Sequence, residues 1–279
     1  MRRKIIGALV TCIALAIFAS YTAEAEKMHV IKVDLGNNIE ITAKESGAPR
    51  FGVENHWGLK IYELVNLRPD VVVRFSRPGF EIDATPLFAL TMFADSENKN
   101  DMAVENIILQ YDYSASSHQT GKAFVEDIVK QFNRGKWRRH IRDNCPATSG
   151  RSAYLDENGI IRGTCPLDPA YVPPIEDWLQ LMRLGKEYEW LGSGVLAKLS
   201  VQYDEDTRGL TYSINLEFQD FAIDNRRNDA AQARELIEGD QKGWNSTKNY
   251  KDGIAKRQAV VKLMEENAVK RGDHLVPRD

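Results

Sequence analysis

LAKLSVQYDEDTRGLTYSINLEF, residues 196–218, carries apolar side chains at every second position on both sides of a polar turn at 204–209. A period of two is typical of a strand that buries one face. So short a polar turn leaves no room for a crossover helix, and the two strands must therefore pair antiparallel. This stretch predicts a long β-hairpin, and with it a sheet built from antiparallel hairpins.

A second hairpin is predicted in the first half of the chain. Residues 87–93 and 104–113 are rich in apolar and β-branched side chains, and the polar stretch 95–100 separates them. Residues 30–33 and 39–42, joined through Gly36-Asn37-Asn38, predict a further hairpin at the start.

Two shorter apolar stretches lie between these hairpins. Residues 71–75 indicate a short strand, whereas 59–67 fits either a short helix or a strand.

Helices are predicted between and after the hairpins. Residues 121–133 and 177–184 place apolar side chains at helical spacing, and the second follows Pro173-Pro174, a suitable helix start. Residues 226–238 and 253–270 are charged and helical in character. The predicted fold class is α+β, with antiparallel hairpins covered by helices and a helical C-terminal region.

The order of these elements suggests four parts: a signal peptide (1–25), a first α+β half (26–143), a disulfide hairpin with a second α+β half (144–224), and C-terminal helices (225–279). The middle of the chain also shows an internal echo. A helix followed by Gly135-Lys136-Trp137 resembles a helix followed by Gly185-Lys186 with Trp190. The echo predicts two similar α+β layers.

The first residues predict export to the periplasm. A basic start (Arg2, Arg3, Lys4) precedes the apolar run 5–19, and Ala23-Glu24-Ala25 has the small side chains that signal peptidase requires. We expect cleavage after Ala25. A lipoprotein form acylated at Cys12 is the alternative, although Thr11 suits that cleavage box poorly. No later stretch is apolar enough to predict a membrane span.

Two of the three cysteines, Cys145 and Cys165, lie twenty residues apart. In an oxidising compartment their pairing is the economical interpretation, since neither a metal ligand set nor a CxxC redox motif accompanies them. Residues 152–155 and 160–162 predict two strands around a turn formed by Asp156, Glu157, Asn158 and Gly159. The stapled segment either replaces missing core or presents a binding loop.

A basic stretch immediately precedes Cys145. Its candidate binding residues are Arg134, Lys136, Trp137, Arg138, Arg139 and Arg142. Together they could bind phosphate, an anionic glycan or an acidic protein surface, with Trp137 as an anchor. The alternative is a solvated helix end, where cations suit the helix dipole.

No recognised catalytic motif appears. The sequence lacks HExxH, GxSxG, a phosphate-binding Walker loop, the Rossmann glycines and an EF-hand loop. We therefore predict no cofactor and no metal, and a protein without catalytic activity, although a hydrolase with dispersed catalytic residues stays open. The net charge is −3, and loss of Arg2, Arg3, Lys4 and Glu24 with residues 1–25 would change it to −5, which argues against nucleic acid as a general partner.

Three segments within residues 121–190 carry a resemblance to a known family: GKAFVEDIVKQFNRGKWRRHI, LDENG and EDWLQLMRLGKEYEW. They resemble the periplasmic immunity proteins of type VI lipase-type effectors. The resemblance implies a stoichiometric inhibitor that binds a secreted effector toxin and performs no catalysis. It assigns no binding residue. A structural or accessory envelope protein is the alternative function.

Overall fold

The computed structural model describes residues 29–97, 102–161, 165–207 and 209–278. The predicted signal peptide lies outside these residues. The strands are β1 (His29–Val33), β2 (Gly52–His56), β3 (Leu59–Val65), β4 (Val71–Phe75), β5 (Ile82–Ala84), β6 (Ala89–Asp95), β7 (Val104–Ala115), β8 (Arg138–Arg139), β9 (Lys186–Gly192), β10 (Val195–Asp206) and β11 (Gly209–Asp220). The α-helices are α1 (Ile39–Glu45), α2 (His118–Arg134), α3 (Ile175–Arg183), α4 (Phe221–Gln241) and α5 (Ser246–Lys270). The fold is α+β, as predicted.

An eight-stranded antiparallel sheet forms the centre of the fold, in the order β2-β3-β6-β7-β11-β10-β9-β8. Both long hairpins, β6–β7 and β10–β11, are confirmed. Strands β7 and β11 pair along ten residues and so join the two predicted halves into one sheet. The stretch 59–67 fits either a helix or a strand by its sequence; residues Leu59–Val65 of it form β3, which pairs with β6.

The first predicted hairpin is wrong. Residues 30–33 do form a strand, but residues 39–42 belong to α1, and β1 pairs in parallel with β4 in a small sheet of order β1-β4-β5. The Asn38 side chain caps α1 by accepting hydrogen bonds from the backbone N–H groups of Glu40 and Ile41. Ile39, Thr42 and Ala43 then face the core. Capping and helical burial outweigh the β-branched character of this short stretch.

All four predicted helices are present, and each begins a few residues earlier than predicted. Helix α2 lies against one face of the large sheet, where Val125, Ile128 and Phe132 are buried. Gly121 permits this close approach, because an added Cβ would lie 2.2 Å from the Tyr212 ring. Trp190 is buried in the core and stacks on Phe132 with ring centroids 3.9 Å apart.

Helices α4 and α5 differ from the others because they bury very little. Helix α4 starts directly from β11, and the carboxylate of Asp220 caps it by accepting from the N–H groups of Ala222 and Ile223. Helix α5 follows after a short turn. Among the described residues, no helix is both long and apolar enough to cross a membrane.

Candidate functional site

The stapled segment is built differently from the predicted hairpin. Cys145 and Cys165 form a disulfide with Cα atoms 5.5 Å apart, as predicted. Residues Gly150–Tyr154, however, form a 3₁₀ helix. In the described part of this segment, an isolated bridge joins Leu155 to Ile161, and the N–H of Asp156 donates to the Ile160 carbonyl at 2.9 Å. The predicted strand 152–155 is therefore wrong. Three consecutive residues, 152–154, are all buried, a pattern that one face of a strand cannot provide. Arg162, in the second predicted strand, lies outside the described residues.

The predicted turn residues of this segment have separate roles. The Asp156 carboxylate accepts hydrogen bonds from the backbone N–H groups of Asn158 and Ile160, each at 2.9 Å, and thereby holds the turn. The backbone carbonyl of Glu157 accepts from the Asn267 side chain at 2.9 Å. Asn158 is exposed. The turn is thus fastened to α5 on one side and open to solvent at Asn158.

The C-terminal residues clamp the stapled segment. The Glu265 carboxylate accepts from the Ala147 N–H at 2.9 Å and pairs with Arg278. Arg278 also donates to the carbonyl oxygen of Cys145 at 2.6 Å. Further contacts join Ser149 to His274, Ser152 to Asp273 and to Arg271, and Thr148 to Leu275. The segment therefore connects the end of α5 to the body of the protein.

Removing the disulfide tests this connection. We expect Cys145→Ser to lower the free energy of unfolding by about 3 kcal/mol, the loop-closure value for a bridge of this span. Amide hydrogen exchange should also become faster in residues 265–278, because the stapled segment to which they are hydrogen-bonded would no longer be held in place. Cys165→Ser should give the same result. Unchanged stability and exchange in both variants would contradict the role assigned to the bridge.

Trp137 is part of the core and is not a surface anchor. Its side chain is only 7% exposed. The indole lies edge-on to Phe80 at 5.2 Å and packs near Phe132 and Phe218, at 5.3 and 6.0 Å between ring centroids. A binding anchor must be accessible to a partner, whereas the Trp137 side chain is buried within the protein.

Arg142 also points inward. Its guanidinium donates to Glu189 at 2.6 Å and pairs with Glu187. Burial lowers the pKa of Arg142, but the hydrogen bonds and charges of the two glutamates together raise it above its ordinary value. Glu189 is 1% exposed, so Arg142 is the cation that compensates a buried carboxylate.

The remaining cations divide between the interior and the surface. Arg139 donates to the Thr148 carbonyl at 2.6 Å, and burial holds its pKa below the ordinary value while Asp168 opposes that shift. Arg134, Lys136 and Arg138 are exposed. Arg134 lies in the last turn of α2, where a cation suits the helix dipole. The structure therefore splits the predicted basic cluster, and the three exposed cations stay candidates for binding.

The last two helices form a different surface, on which apolar side chains are exposed. We call α4 and α5 together, residues 221–270, the C-terminal helical hairpin. Only Gly239, Val261 and Ala268 are buried in its two helices. The two helices approach closely at the turn that joins them, where a Cβ added at Gly239 would lie 1.9 Å from the Ser246 hydroxyl.

The exposed surface of this hairpin combines apolar and cationic side chains. Trp244, in the turn between the helices, is 63% exposed, and the other exposed apolar residues are Ile237, Val260, Leu263 and Val269. On α5, Lys251, Lys256 and Lys262 are exposed. These cations form no ion pair with a described residue. The sequence predicts both helices, but no pattern in it indicates that their apolar side chains are exposed.

Comparison with protein-family models, with curated proteins and with solved structures found no match to this chain. Within the described parts of the chain, no group of three or more histidine, cysteine, aspartate or glutamate side chains is arranged to hold a metal ion. What the fold and the surface define is an α+β protein that carries an exposed helical hairpin, fixed to the body at both ends.

Proposed function

We propose that this chain is an exported protein-binding module that acts as a stoichiometric inhibitor of a toxin directed at the cell envelope. The observation that carries the proposal is the C-terminal helical hairpin. Its helices contain 21 and 25 residues, yet Gly239, Val261 and Ala268 are the only residues in them that are buried.

Helices in proteins gain most of their stability from packing an apolar face, because intrinsic propensity alone is marginal in water. A helix that exposes apolar side chains along its length therefore gains stability when another surface covers them. Val260 and Leu263 lie one turn apart on α5, and the exposed Lys256 lies one turn before Val260 on the same side. This combination fits a partner with an apolar patch bordered by acidic groups.

Both ends of the hairpin are fixed. The start of α4 continues β11 through the Asp220 cap, and the end of α5 is clamped to the stapled segment through Glu265, Asn267 and Arg278. A surface held in place before binding loses less conformational entropy when a partner docks. This rigidity suits a tight inhibitor.

The proposal predicts the effect of charge placed on α5. The double variant Val260→Glu, Leu263→Glu should weaken partner binding by about tenfold or more, because two carboxylates would be buried against the partner. The partner is captured from periplasmic extract on the tagged protein and purified. Its hydrolytic activity is then measured as the parent protein or the variant is added in increasing amounts. The parent protein should abolish that activity at one molar equivalent.

Val172→Glu serves as the matched control, since Val172 is 62% exposed and lies away from the helical hairpin, in the segment before α3. It should bind like the parent protein. Circular dichroism establishes that both variants fold. Equal binding by the parent and the α5 variant would place the interface elsewhere, and recovery of cell-wall material in place of a toxin would favour an accessory envelope protein.

A further inference from the structure

An apolar groove lies where the small sheet meets the end of β3. It has a volume of about 640 Å³ and runs between the start of β1, the segment 47–52 and the turn 66–68. Ile31, Leu64 and Val71 line it and are otherwise buried, while Pro49 and Leu67 complete its apolar lining. Small-molecule sites have this size and this apolar character.

The backbone holds one wall of the groove close to β1. The N–H of Lys32 donates to the Ser46 carbonyl at 2.8 Å, so the chain leaving α1 runs beside the strand. Gly47 continues this segment with φ +86°, a conformation that other residues rarely adopt. An added Cβ at Gly47 would lie 3.2 Å from the Val30 carbonyl oxygen. The wall is therefore a built part of the fold.

The rim of the groove is basic. Arg50 is exposed and forms no hydrogen bond or ion pair with a described residue. Arg68 also lines the groove and pairs with Asp70, and His29 stands at the start of β1. Among the described residues that line the groove, Glu63 is the one acidic residue, and its carboxylate accepts a hydrogen bond from the Thr91 hydroxyl on β6 at 3.3 Å. The exposed Arg50 guanidinium is therefore the lining cation that is available to an anionic group.

We propose that the groove binds a single-chain anionic amphiphile of the free fatty-acid class. The acyl chain would lie on Ile31, Leu64 and Val71, and the carboxylate would meet Arg50. A single groove offers room for one chain, and removal of its methylene groups from water favours binding. The inference is independent of the helical hairpin and of the proposed inhibitor function.

The test is calorimetric titration of the full exported chain with laurate, with dodecanol as the uncharged match. Laurate should bind saturably and more tightly than dodecanol. Arg50→Gln should weaken laurate binding about two- to fivefold, the range for one exposed ion pair, and should leave dodecanol binding unchanged. No saturable laurate binding, or equal affinity for laurate and dodecanol, would overturn the proposal.

Two tryptophan variants locate the site. His29 is on the same side of β1 as Ile31, because alternate residues of a strand share a face. His29→Trp should therefore fill the groove and abolish laurate binding. Lys32→Trp, on the opposite side of the same strand and also exposed, should bind like the parent chain.

Laurate binding that survives in His29→Trp would overturn the location. Tighter binding of a lauroyl lysophospholipid than of laurate would identify a membrane lipid as the source of the chain and would overturn the free fatty-acid assignment.

Discussion

Replacing Trp137 with alanine is expected to lower the free energy of unfolding by about 3–5 kcal/mol, the usual cost of truncating a large buried aromatic side chain. The indole fills the space between Phe75, Phe80, Phe132 and Phe218. Its loss would leave a cavity that these rings cannot fully close. Urea denaturation followed by fluorescence and circular dichroism measures the change.

Trp57→Ala is the matched control, because Trp57 is 93% exposed at the turn between β2 and β3. A surface substitution of this kind should change stability by less than about 0.5 kcal/mol. Equal stabilities of the two variants would contradict the core position of Trp137. A variant at Trp137 that kept its stability but lost partner binding would restore the anchor hypothesis.

Local patterns in the sequence were sufficient to predict most of the fold. The β6–β7 and β10–β11 hairpins depend on alternation around a short turn, and α2 depends on apolar residues at helical spacing. Both signals are contained in neighbouring residues. The helix at Ile39–Glu45 was missed because one side-chain cap at Asn38 decided it, in a stretch whose residue types favour a strand.

The candidate site was harder to predict, because contacts between distant parts of the chain decide which of its residues are buried and which are exposed. Arg138 and Arg139 are neighbours in β8, yet one is exposed and the other reaches inward to Thr148. Trp137 meets Phe75 and Phe218, which lie far from it in sequence. A sequence shows which residues are charged or aromatic. Whether each of these side chains is buried or exposed depends on how it packs against the sheet.

The same limit applies to the C-terminal helical hairpin. Its helical character follows from composition, since α4 and α5 are rich in charged residues and alanine. Residues 265–278 fasten the end of α5 to the stapled segment, whereas apolar side chains farther along the two helices, such as Ile237 and Val260, are exposed. No local pattern in the sequence contains that information.

Arg142→Ala is the second substitution with a large expected effect. It should lower the free energy of unfolding by about 3–4 kcal/mol, because removing one partner of a buried pair leaves the other charge uncompensated. Glu189 is that other charge, and it is 1% exposed. We place the cost near the low end of the range for buried pairs, since about a third of the Arg142 side chain is exposed and water can partly screen the loss.

Arg134→Ala is the matched control in the same basic stretch, because Arg134 is exposed at the end of α2. Its effect on stability should stay within about 0.5 kcal/mol. The double variant Arg142→Met, Glu189→Leu adds a second test. It should be more stable than Arg142→Ala alone, since apolar residues of similar size often replace a buried ion pair without loss.

These variants separate a structural from a binding role for Arg142. If Arg142→Ala unfolds more easily and the double variant recovers stability, the arginine serves the buried glutamate. If Arg142→Ala is as stable as Arg134→Ala and instead weakens binding of the purified partner, the arginine belongs to the interface that the sequence predicted. In that case the partner would meet the stapled segment, and the helical hairpin would support the interface without forming it.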